Sequence, residues 1–255
     1  MLEVNKIYNA DCLELMKEIE DKSIDAIICD LPYGTTACSW DVVIPFDKLW
    51  EQYKRIRKDN TPIVLFGSEP FSTYLRMSNI KEYKYDLIWV KTKASGHLVA
   101  DKQPMKRYEN ISVFGNGQIL YNFQLEAKNK KNIRNPNKKY KLNTSLYSQE
   151  EIILFNQYRK IPLDKKYPDN VLEFQSVGNF KRIHPTQKPS ALLEYLIKTY
   201  SNEGDLILDN CSGSGTLAIA CHNTRRNFIC IEKDKDYYEK SVERLRNAQA
   251  QLKLF

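Results

Sequence analysis

Short apolar runs alternate with amphipathic stretches along most of this chain, and this alternation constrains its fold more than any other feature. Runs rich in β-branched and aromatic residues at 24–29, 63–66 and 85–90 indicate buried strands. Between them, apolar residues recur at helical spacing, as in the stripe of Phe46, Leu49, Trp50, Tyr53 and Ile56. Strands that alternate with helices are typical of α/β proteins with a doubly wound, mostly parallel sheet. We therefore expect a Rossmann-like fold of this class.

The alternation breaks down between residues 117 and 182, where the chain becomes basic and rich in Asn. Residues 81–141 contain 14 Lys and Arg against 5 Asp and Glu, a net charge of +9, so the rest of the chain carries −2 of the total of +7. Such a basic block favours a polyanion as partner, first of all nucleic acid; the alternatives are a solvated Lys-rich face and, for 126–145, a disordered loop. The sequence predicts two halves of one domain, 1–116 and 183–255, with an inserted basic recognition region at 117–182.

Composition is that of an ordinary intracellular protein. No window approaches 18 uninterrupted apolar residues, so we expect no transmembrane helix. Charged residues at positions 3, 6, 11 and 14 argue against a secretory leader. The six cysteines include no Cys-x-x-Cys pair, which favours reduced, packed thiols over a disulfide framework or a zinc site. We expect a cytoplasmic protein that holds no metal.

The first candidate site follows the strand at 24–29, where the chain reads Asp30, Leu31, Pro32, Tyr33 and Gly34. Pro32 fixes its own φ angle and disfavours helical backbone at Leu31, so this exit from the strand is held extended. An acid, constrained carbonyl groups and an aromatic ring therefore emerge together at the carboxyl end of a strand, where open α/β sheets bind ligands. Such a group can grip a flat ring that carries an amine, although an ordinary strand-to-turn exit has the same pattern.

The second candidate site is a glycine-rich turn between the strand at 206–208 and the following helix. Gly213, Gly215 and Ala218 have the G-x-G-x-x-A spacing that lets the backbone approach a bound ligand. Glu232 ends the next strand, 19 residues beyond Gly213, where an acid accepts hydrogen bonds from ribose hydroxyls in nucleotide-binding βαβ units. The pair favours a cofactor of adenosine type. The spacing alone does not separate a nicotinamide cofactor from S-adenosylmethionine.

Three separated motifs together resemble those of the β-class DNA amino-methyltransferases, which methylate N(6) of adenine or N(4) of cytosine. A D-P-P-Y-like catalytic motif (residues 30–33) precedes the basic region, and an H-P-x-Q-K-P segment (184–189) and a D-x-x-x-G-S-G-T cofactor loop (209–216) follow it. The resemblance covers about residues 5–116 and 183–245. It implies the methyltransferase version of the Rossmann-like fold, S-adenosylmethionine as cofactor and DNA as substrate.

The resemblance assigns roles by position. The expected catalytic residues are Asp30, Leu31, Pro32 and Tyr33. Among them, the Asp30 carboxylate and the Leu31 carbonyl would accept hydrogen bonds from the target amine, and the Tyr33 ring would stack on the base. The expected cofactor contacts are Asp11, Cys12, Asp30, Thr186, Lys188, Asp209, Cys211, Gly213, Ser214, Gly215, Thr216 and Glu232. The expected DNA contacts are Lys130, Lys131, Arg134, Lys138 and Lys139.

Within the cofactor site, the resemblance places the adenine at residues 11–12, the ribose at Glu232 and the methionine part at residues 209–215. Residues 186 and 188 would lie near its carboxylate. The chain departs from the family pattern at two positions. Leu31 stands where Pro is usual, but a backbone carbonyl can be supplied by either residue. Cys211 stands in an Asp-Asn-Cys sequence where Asp-Pro-Phe is common, so a ring contact with the cofactor must be replaced or lost.

These assignments predict a site-specific DNA methyltransferase that acts on the amino group of adenine after base flipping. Asp at the first catalytic position favours adenine by resemblance, whereas Ser there more often accompanies cytosine N(4) methylation, which stays the near alternative. Methylation at carbon 5 of cytosine needs a Cys after a Pro, and no Cys here follows a Pro. A nicotinamide-dependent oxidoreductase and a non-catalytic DNA-binding relative stay open. A restriction endonuclease and a second copy of the chain are further candidate partners, and the nucleoid is the expected location.

Overall fold

The computed structural model describes residues 2–36, 38, 40–128, 161–162, 164–178 and 182–252. Its helices are α1 (Cys12–Met16), α2 (Phe46–Ile56), α3 (Phe71–Ser78), α4 (Ser190–Tyr200), α5 (Thr216–Asn223) and α6 (Lys235–Leu252). Its strands are β1 (Lys6–Asn9), β2 (Ala26–Cys29), β3 (Ile63–Gly67), β4 (Tyr83–Ser95), β5 (Lys106–Phe114), β6 (Glu126–Ala127), β7 (Lys165–Lys166), β8 (Val171–Glu173), β9 (Leu206–Asp209) and β10 (Asn227–Glu232). A short 3-10 turn, His97–Val99, follows β4.

Eight of these strands form the main sheet, in the order β1-β10-β9-β2-β3-β5-β4-β8. Neighbouring strands are parallel except where β5 runs antiparallel between β3 and β4. β2 and β9 are neighbours at the centre of the sheet. The chain continues from β2 to β3 on one side of this pair and from β9 to β10 on the other side. The carboxyl ends of β2 and β9 are therefore the switch point, where open α/β sheets bind ligands. The predicted doubly wound, mostly parallel fold is confirmed.

Helices cover both faces of the sheet, which is why its central strands read as uninterrupted apolar runs. Side chains along β2 alternate between two cores, with Ala26 and Ile28 in one and Ile27 and Cys29 in the other. Helix residues of the first core include Leu192, Leu196, Leu217 and Leu245, and those of the second include Met16, Leu49 and Leu75. Because all four β2 side chains are buried, the end of this strand is held firmly in place.

A second compact unit, residues 123–169, is separate from the unit that contains the main sheet. Within its described residues, β6 and β7 pair antiparallel, and the rings of Phe123 and Tyr167 meet edge to face, 5.1 Å apart. β8 follows this unit in the chain and pairs with β4 in the main sheet. The sequence also favours a helix at 149–159, but these residues lie outside those that the structure describes. The functional division at 117 and 182 therefore stays a prediction.

Three further findings concern the expected absences. Within the part of the chain that the structure describes, every helix is too short or too polar to cross a lipid bilayer. The same residues contain no cluster of three or more His, Cys, Asp or Glu that is suited to a metal ion. The six cysteines are free thiols, and three of them are buried.

Candidate active site

A cavity of about 630 Å³ lies at the carboxyl ends of β2, β9 and β10. Its wall combines the turn after β2, the segment before α4 and the glycine-rich turn after β9. Cavities of roughly this volume hold small molecules and cofactors. The predicted residues that line it are Asp11, Cys12, Asp30, Leu31, Pro32, Tyr33, Thr186, Lys188, Asp209, Cys211, Gly213, Ser214, Thr216 and Glu232.

The carboxylate of Asp30, directly after β2, is shared between two donors. The Tyr33 hydroxyl donates to Oδ1 over 2.6 Å, and the Lys188 ammonium donates to Oδ2 over 2.5 Å. The Tyr33 ring packs against Phe71, with 5.0 Å between the ring centroids. Because a carboxylate offers about four lone pairs, Asp30 can accept further hydrogen bonds from a ligand. The turn thus presents an oriented acceptor beside an aromatic ring.

Lys188 joins two acids that are distant in the sequence. Its Nζ lies 2.5 Å from Asp30 Oδ2 and 3.2 Å from Glu109 Oε2. Lys91 lies 2.6 Å from the other carboxylate oxygen of Glu109. The Lys188 side chain is only 6% exposed, and its Nζ lies 5.0 Å from the centre of the Phe66 ring. The segment before α4 therefore places a buried cation against the acid that follows β2.

This network sets the charge of each group. Burial would lower the pKa of Lys188, but the carboxylates of Asp30 and Glu109 outweigh it and raise that pKa. Burial raises the pKa of Asp30, and Lys188 acts against this shift. Burial would also raise the pKa of Glu109, but Lys188 and Lys91 outweigh it and lower that pKa. Lys188 is therefore an ammonium group that favours the ionised form of both acids.

The loop after Tyr33 is organised by Asp41, which the sequence analysis did not single out. The Asp41 carboxylate accepts the backbone N–H groups of Gly34, Thr35 and Thr36 over 2.9, 2.9 and 2.7 Å. Burial would raise the pKa of Asp41, but these hydrogen bonds outweigh it and lower that pKa. Three donors on one buried acid fix the loop in the cavity wall. The only signal in the sequence is an acid in an otherwise uncharged polar stretch.

Gly213 and Gly215, the two glycines after β9, have different structural roles. Gly213 has a φ of 49°, and a Cβ there would lie 3.6 Å from the His184 ring, so its missing side chain leaves room in the cavity wall. Gly215 has a φ of 67°, and a Cβ there would come within 2.9 Å of the Ser241 Cβ. It therefore lets α5 pack closely on α6. Gly215 does not line the cavity among the described residues, although the resemblance assigned it a cofactor contact.

Ser214 and Thr216 are held by Arg244 of α6. Their hydroxyl oxygens lie 2.9 Å apart, and Arg244 Nη1 donates to Thr216 Oγ1 over 2.8 Å and to the Ser214 carbonyl over 2.9 Å. Both residues are almost fully buried. These contacts stabilise the turn, in which the N–H of Gly213 points to Glu232 at the end of β10.

Two acids, the buried Asp209 and the half-buried Glu232, flank the glycine turn. Glu232 accepts the N–H of Gly213 over 2.6 Å and that of Asp234 over 2.8 Å, one at each carboxylate oxygen. Burial raises the pKa of Glu232. Asp209 accepts the N–H of Cys211 over 3.1 Å, and burial raises its pKa to about 7. Backbone N–H groups orient both carboxyl groups. A ligand that carries hydrogen-bond donors or positive charge would stabilise their ionised forms.

Three thiols, those of Cys12, Cys29 and Cys211, also line the cavity. A hydrogen bond with Cys211 lowers the pKa of Cys12, and burial raises the pKa of Cys29 to about 12. Asp11 caps α1 and pairs with Lys233 at 3.1 Å. This wall is therefore compact and mostly uncharged, apart from Asp11 at its edge.

The segment before α4 is braced by aromatic rings. Thr186 donates from its backbone N–H to His184 Nδ1 over 3.3 Å, and its hydroxyl lies 3.0 Å from the same atom. Trp40 and Tyr237 pack on the His184 ring at 4.8 and 4.2 Å between centroids. Burial lowers the pKa of His184 to about 4, so the ring is neutral at pH 7. Thr186 therefore orients the His184 ring, and both residues lie in the cavity wall.

The structure thus brings three separated motifs around one cavity. The predicted DNA contacts Lys130, Lys131, Arg134, Lys138 and Lys139 lie outside the described residues. Sequence reasoning missed Glu109, Lys91 and Asp41. The signal for Glu109 was an acid at the start of the apolar run at 111–114, where a charge is unexpected.

Comparisons with known sequences match nearly the whole chain to one family. A profile of the DNA methylase family matches residues 24–243. The type II methyltransferase M.HpaI of Haemophilus parainfluenzae is 28% identical over 253 residues, which cover 94% of this chain and 74% of that protein. The DNA adenine methyltransferase YhdJ of Escherichia coli (strain K12) is 28% identical over 262 residues, which cover 95% of this chain and 83% of that protein.

Solved structures show the same similarity. The crystal structure of the M1.HpyAVI–SAM complex aligns with a TM-score of 0.61 and 25% identity, over 94% of this chain and 98% of that chain. The PvuII DNA methyltransferase (cytosine-N4-specific) aligns with a TM-score of 0.66 at 14% identity, over 96% and 91%, and shows the fold alone. The family profile spans most of the chain and all three motifs that meet at the cavity. The chain therefore belongs to the DNA methylase family, S-adenosylmethionine-dependent enzymes that methylate amino groups of DNA bases.

Proposed function

We propose that this protein methylates N(6) of adenine at a specific DNA sequence, after the base has been flipped out of the stack. The observation that carries the proposal is the adjacency of two strand ends. β2 and β9 are parallel neighbours, with Ile27 opposite Leu208, so Asp30 and the turn at Gly213 line the same cavity. An acceptor for an amine and a turn suited to the cofactor are therefore side by side.

The residues around the glycine turn fit S-adenosylmethionine. Asp209 is a buried acid with a pKa of about 7, which a cationic amino group would stabilise in its ionised form. Glu232 is a half-buried acid with oriented oxygens, suited to ribose hydroxyls. We expect Asp209 and Gly213 to hold the methionine part, Glu232 the ribose, and Asp11 with Cys12 the adenine edge. When bound, the cofactor would supply an electrophilic methyl group on a sulfonium sulfur, with a neutral thioether as the leaving group once the carbon–sulfur bond breaks.

The role of the Asp30 turn follows from the electron demand of the target. An exocyclic amine is a poor nucleophile because its lone pair is delocalised into the base. The Asp30 carboxylate and the Leu31 carbonyl would each accept a hydrogen bond from one N–H of the amine. These two hydrogen bonds favour a tetrahedral nitrogen, whose lone pair is then free to attack the methyl carbon. The nitrogen loses one proton as its new bond to carbon forms, and Asp30 can accept it. Catalysis then depends mainly on positioning and electrostatics.

A base inside a duplex cannot reach this cavity. Flipping it out costs a few kcal/mol, and stacking on an aromatic ring returns about 1–3 kcal/mol. Tyr33 is suited to this contact, because its ring is fixed by Phe71 and by the hydrogen bond to Asp30. The Tyr33 hydroxyl and Lys188 together hold the acceptor in position for the arriving amine.

Adenine is preferred to cytosine on two grounds. The first catalytic residue is Asp30, and the relative YhdJ is a DNA adenine methyltransferase. Methylation of cytosine N(4) is the second candidate, because the same family includes that activity. Sequencing DNA from cells that express the protein, with detection of modified bases, tests both. We expect N(6)-methyladenine in one sequence context; N(4)-methylcytosine would shift the assignment, and unmodified DNA would refute it.

The basic insertion at 117–182 is proposed to supply phosphate contacts and base readout. Neutralising Lys130, Lys131, Lys138 and Lys139 to Gln should weaken DNA binding and reduce the slope of log K against log salt by up to about 3.6, since each phosphate contact contributes about 0.9. Titrations of a labelled duplex at several salt concentrations measure this. An unchanged slope would leave this stretch without a role in DNA binding.

Cofactor affinity should depend on pH through Asp209. Its pKa in the free protein is raised to about 7, so the carboxyl is mostly protonated at pH 6 and mostly ionised at pH 8. If Asp209 pairs with the cationic amino group, affinity should rise about tenfold between these pH values. Stability of the free protein should change in the opposite direction, falling as pH rises from about 4 to 7, because the native state then holds the extra proton.

Calorimetric titration of S-adenosylmethionine at pH 6, 7 and 8 measures this dependence. Asp209→Asn should bind with an affinity that changes little over this range, and Asp47→Asn, at an exposed acid of α2 outside the cavity, should behave as the unmodified protein does. A pH dependence that survives Asp209→Asn would assign it to another group.

We propose action in the cytoplasm at the nucleoid, because the substrate is DNA. Two relatives are type II methyltransferases, which supports a cognate restriction endonuclease as a genetic partner. A homodimer is a further proposal, and light scattering of the purified protein with and without DNA tests it.

A further inference from the structure

The β4–β5 ribbon, residues 91–107, projects beyond the rest of the main sheet. β3 ends at Gly67, which lies level with Ile88 of β4 through their shared partner in β5. β4 continues from there to Ser95, seven residues further. At about 3.3 Å per residue, the projection is roughly 20 Å long. Because β5 is antiparallel to both β3 and β4, the ribbon leaves the sheet at the same edge as Asp30.

The ribbon is basic. It contains five Lys and Arg against one acid, Asp101: Lys91, Lys93, Lys102, Lys106 and Arg107. Lys93, Lys102 and Arg107 are exposed. This charge complements a phosphate backbone. A projecting basic strand pair is also narrow enough for the major groove, about 12 Å wide, which admits a two-stranded ribbon.

The tip of the ribbon is apolar. Leu98 is 98% exposed, in the 3-10 turn His97–Val99, and Val99 and Met105 beside it are also exposed. The turn has its own backbone hydrogen bonds, from Val99 N–H to the Gly96 carbonyl and from Lys102 N–H to the Val99 carbonyl, over 3.1 and 3.0 Å. The Leu98 side chain therefore buries almost no surface against the rest of the chain, although the backbone that carries it is ordered by hydrogen bonds. Leu is among the side chains that DNA-binding proteins insert between base steps.

The foot of the ribbon reaches the active site. Lys91 in β4 pairs with Glu109 in β5 at 2.6 Å. Glu109 pairs with Lys188 at 3.2 Å, and Lys188 pairs with Asp30 at 2.5 Å. DNA that delivers a base to Asp30 must therefore lie alongside this projection.

We infer that the β4–β5 ribbon is a DNA-contacting element, with Lys93 and Lys102 on phosphates and Leu98 inserted into the base stack beside the flipped target. This inference rests on the proposed function, because only an enzyme that displaces a base needs the gap filled. It assigns DNA contact to a surface distinct from the basic insertion.

The phosphate contacts are tested by anisotropy with a fluorescein-labelled duplex of arbitrary sequence at several salt concentrations. The double variant Lys93→Gln with Lys102→Gln should reduce the slope of log K against log salt by up to about 1.8. The matched control is Lys54→Gln with Lys81→Gln, at exposed lysines that precede β3 and β4 and so lie toward the opposite edge of the sheet. Equal slopes in the two variants would overturn the assignment of this surface to DNA.

Insertion of Leu98 is tested by comparing the same duplex with and without a central abasic site, which offers a ready gap. The unmodified protein should bind the abasic duplex about tenfold more tightly than the intact duplex, because less unstacking is required. Leu98→Ala should lose most of this preference, whereas Met77→Ala, at a 66% exposed residue of α3, should keep it. No preference in the unmodified protein, or a preference that persists in Leu98→Ala, would refute insertion.

Both measurements are of binding and need no methyl transfer. If sequencing finds no modified base but the ribbon variants change DNA binding as expected, the proposed function fails and the ribbon remains a DNA contact. If modified bases are found and the ribbon variants behave as their controls do, only the ribbon inference fails.

Discussion

Asp30→Ala should lower the rate of methyl transfer by about a thousandfold or more while leaving S-adenosylmethionine affinity within a few-fold. Loss of one preorganised electrostatic partner costs about 10²–10³ in rate, and here the variant also releases Lys188 from its 2.5 Å contact. Cofactor affinity should persist because the glycine turn is held by Glu232 and α6 instead. Transfer of tritiated methyl groups to DNA and calorimetric titration of the cofactor measure the two effects separately.

Asp47→Ala, at an exposed acid of α2, is the matched control and should keep full activity. Asp30→Asn offers a second test, because it keeps the shape of the side chain and one acceptor but lacks the charge that Lys188 faces. Turnover retained in both Asp30 variants would remove Asp30 from the chemistry, and loss of cofactor binding in both would assign Asp30 to holding the cofactor.

Lys188→Met should destabilise the protein by about 3–5 kcal/mol, because removal of one partner leaves buried charge uncompensated. Both Asp30 and Glu109 lose the same cation, which is 6% exposed. Urea unfolding at pH 7 measures the loss, and Lys81→Met on the surface is the control. In the double variant Lys188→Met with Glu109→Gln, we expect part of the stability to return, since one of the two acids that faced Lys188 is then neutral.

The same substitution should change the pH profile of methyl transfer. Lys188 opposes the burial that raises the pKa of Asp30, so its removal should raise that pKa further and move the acid limb of the rate profile to higher pH. Glu109 has a lowered pKa, so its stabilising contribution is present at neutral pH and is lost as pH falls through that pKa. In Lys188→Met this acid-sensitive contribution should shrink. A profile and a stability curve that coincide with those of the unmodified protein would refute the role of Lys188.

The central strands, the helices that flank them and the two principal turns were predictable because their signals are local, whereas the short strands β6, β7 and β8 were not predicted. Buried parallel strands need apolar side chains on both faces, so β2 and β9 stand out as apolar runs. The turn at Asp30 follows from Pro32, and the turn at Gly213 follows from the need for positive φ and close approach. The antiparallel direction of β5 was not predictable, because strand direction leaves no period in a sequence.

What the sequence determined by itself is the class of fold, the two strand ends that carry the chemistry and the resemblance to one family, since each depends on residues close together in the chain. Tertiary structure alone decided that Lys188 meets Asp30 and Glu109, residues 158 and 79 positions away, and that Asp41 gathers the loop after Tyr33. It also decided that the ribbon leaves the sheet beside the cavity. The physical reason is that ion pairs and strand order are settled by packing in space, where distance along the chain carries no information.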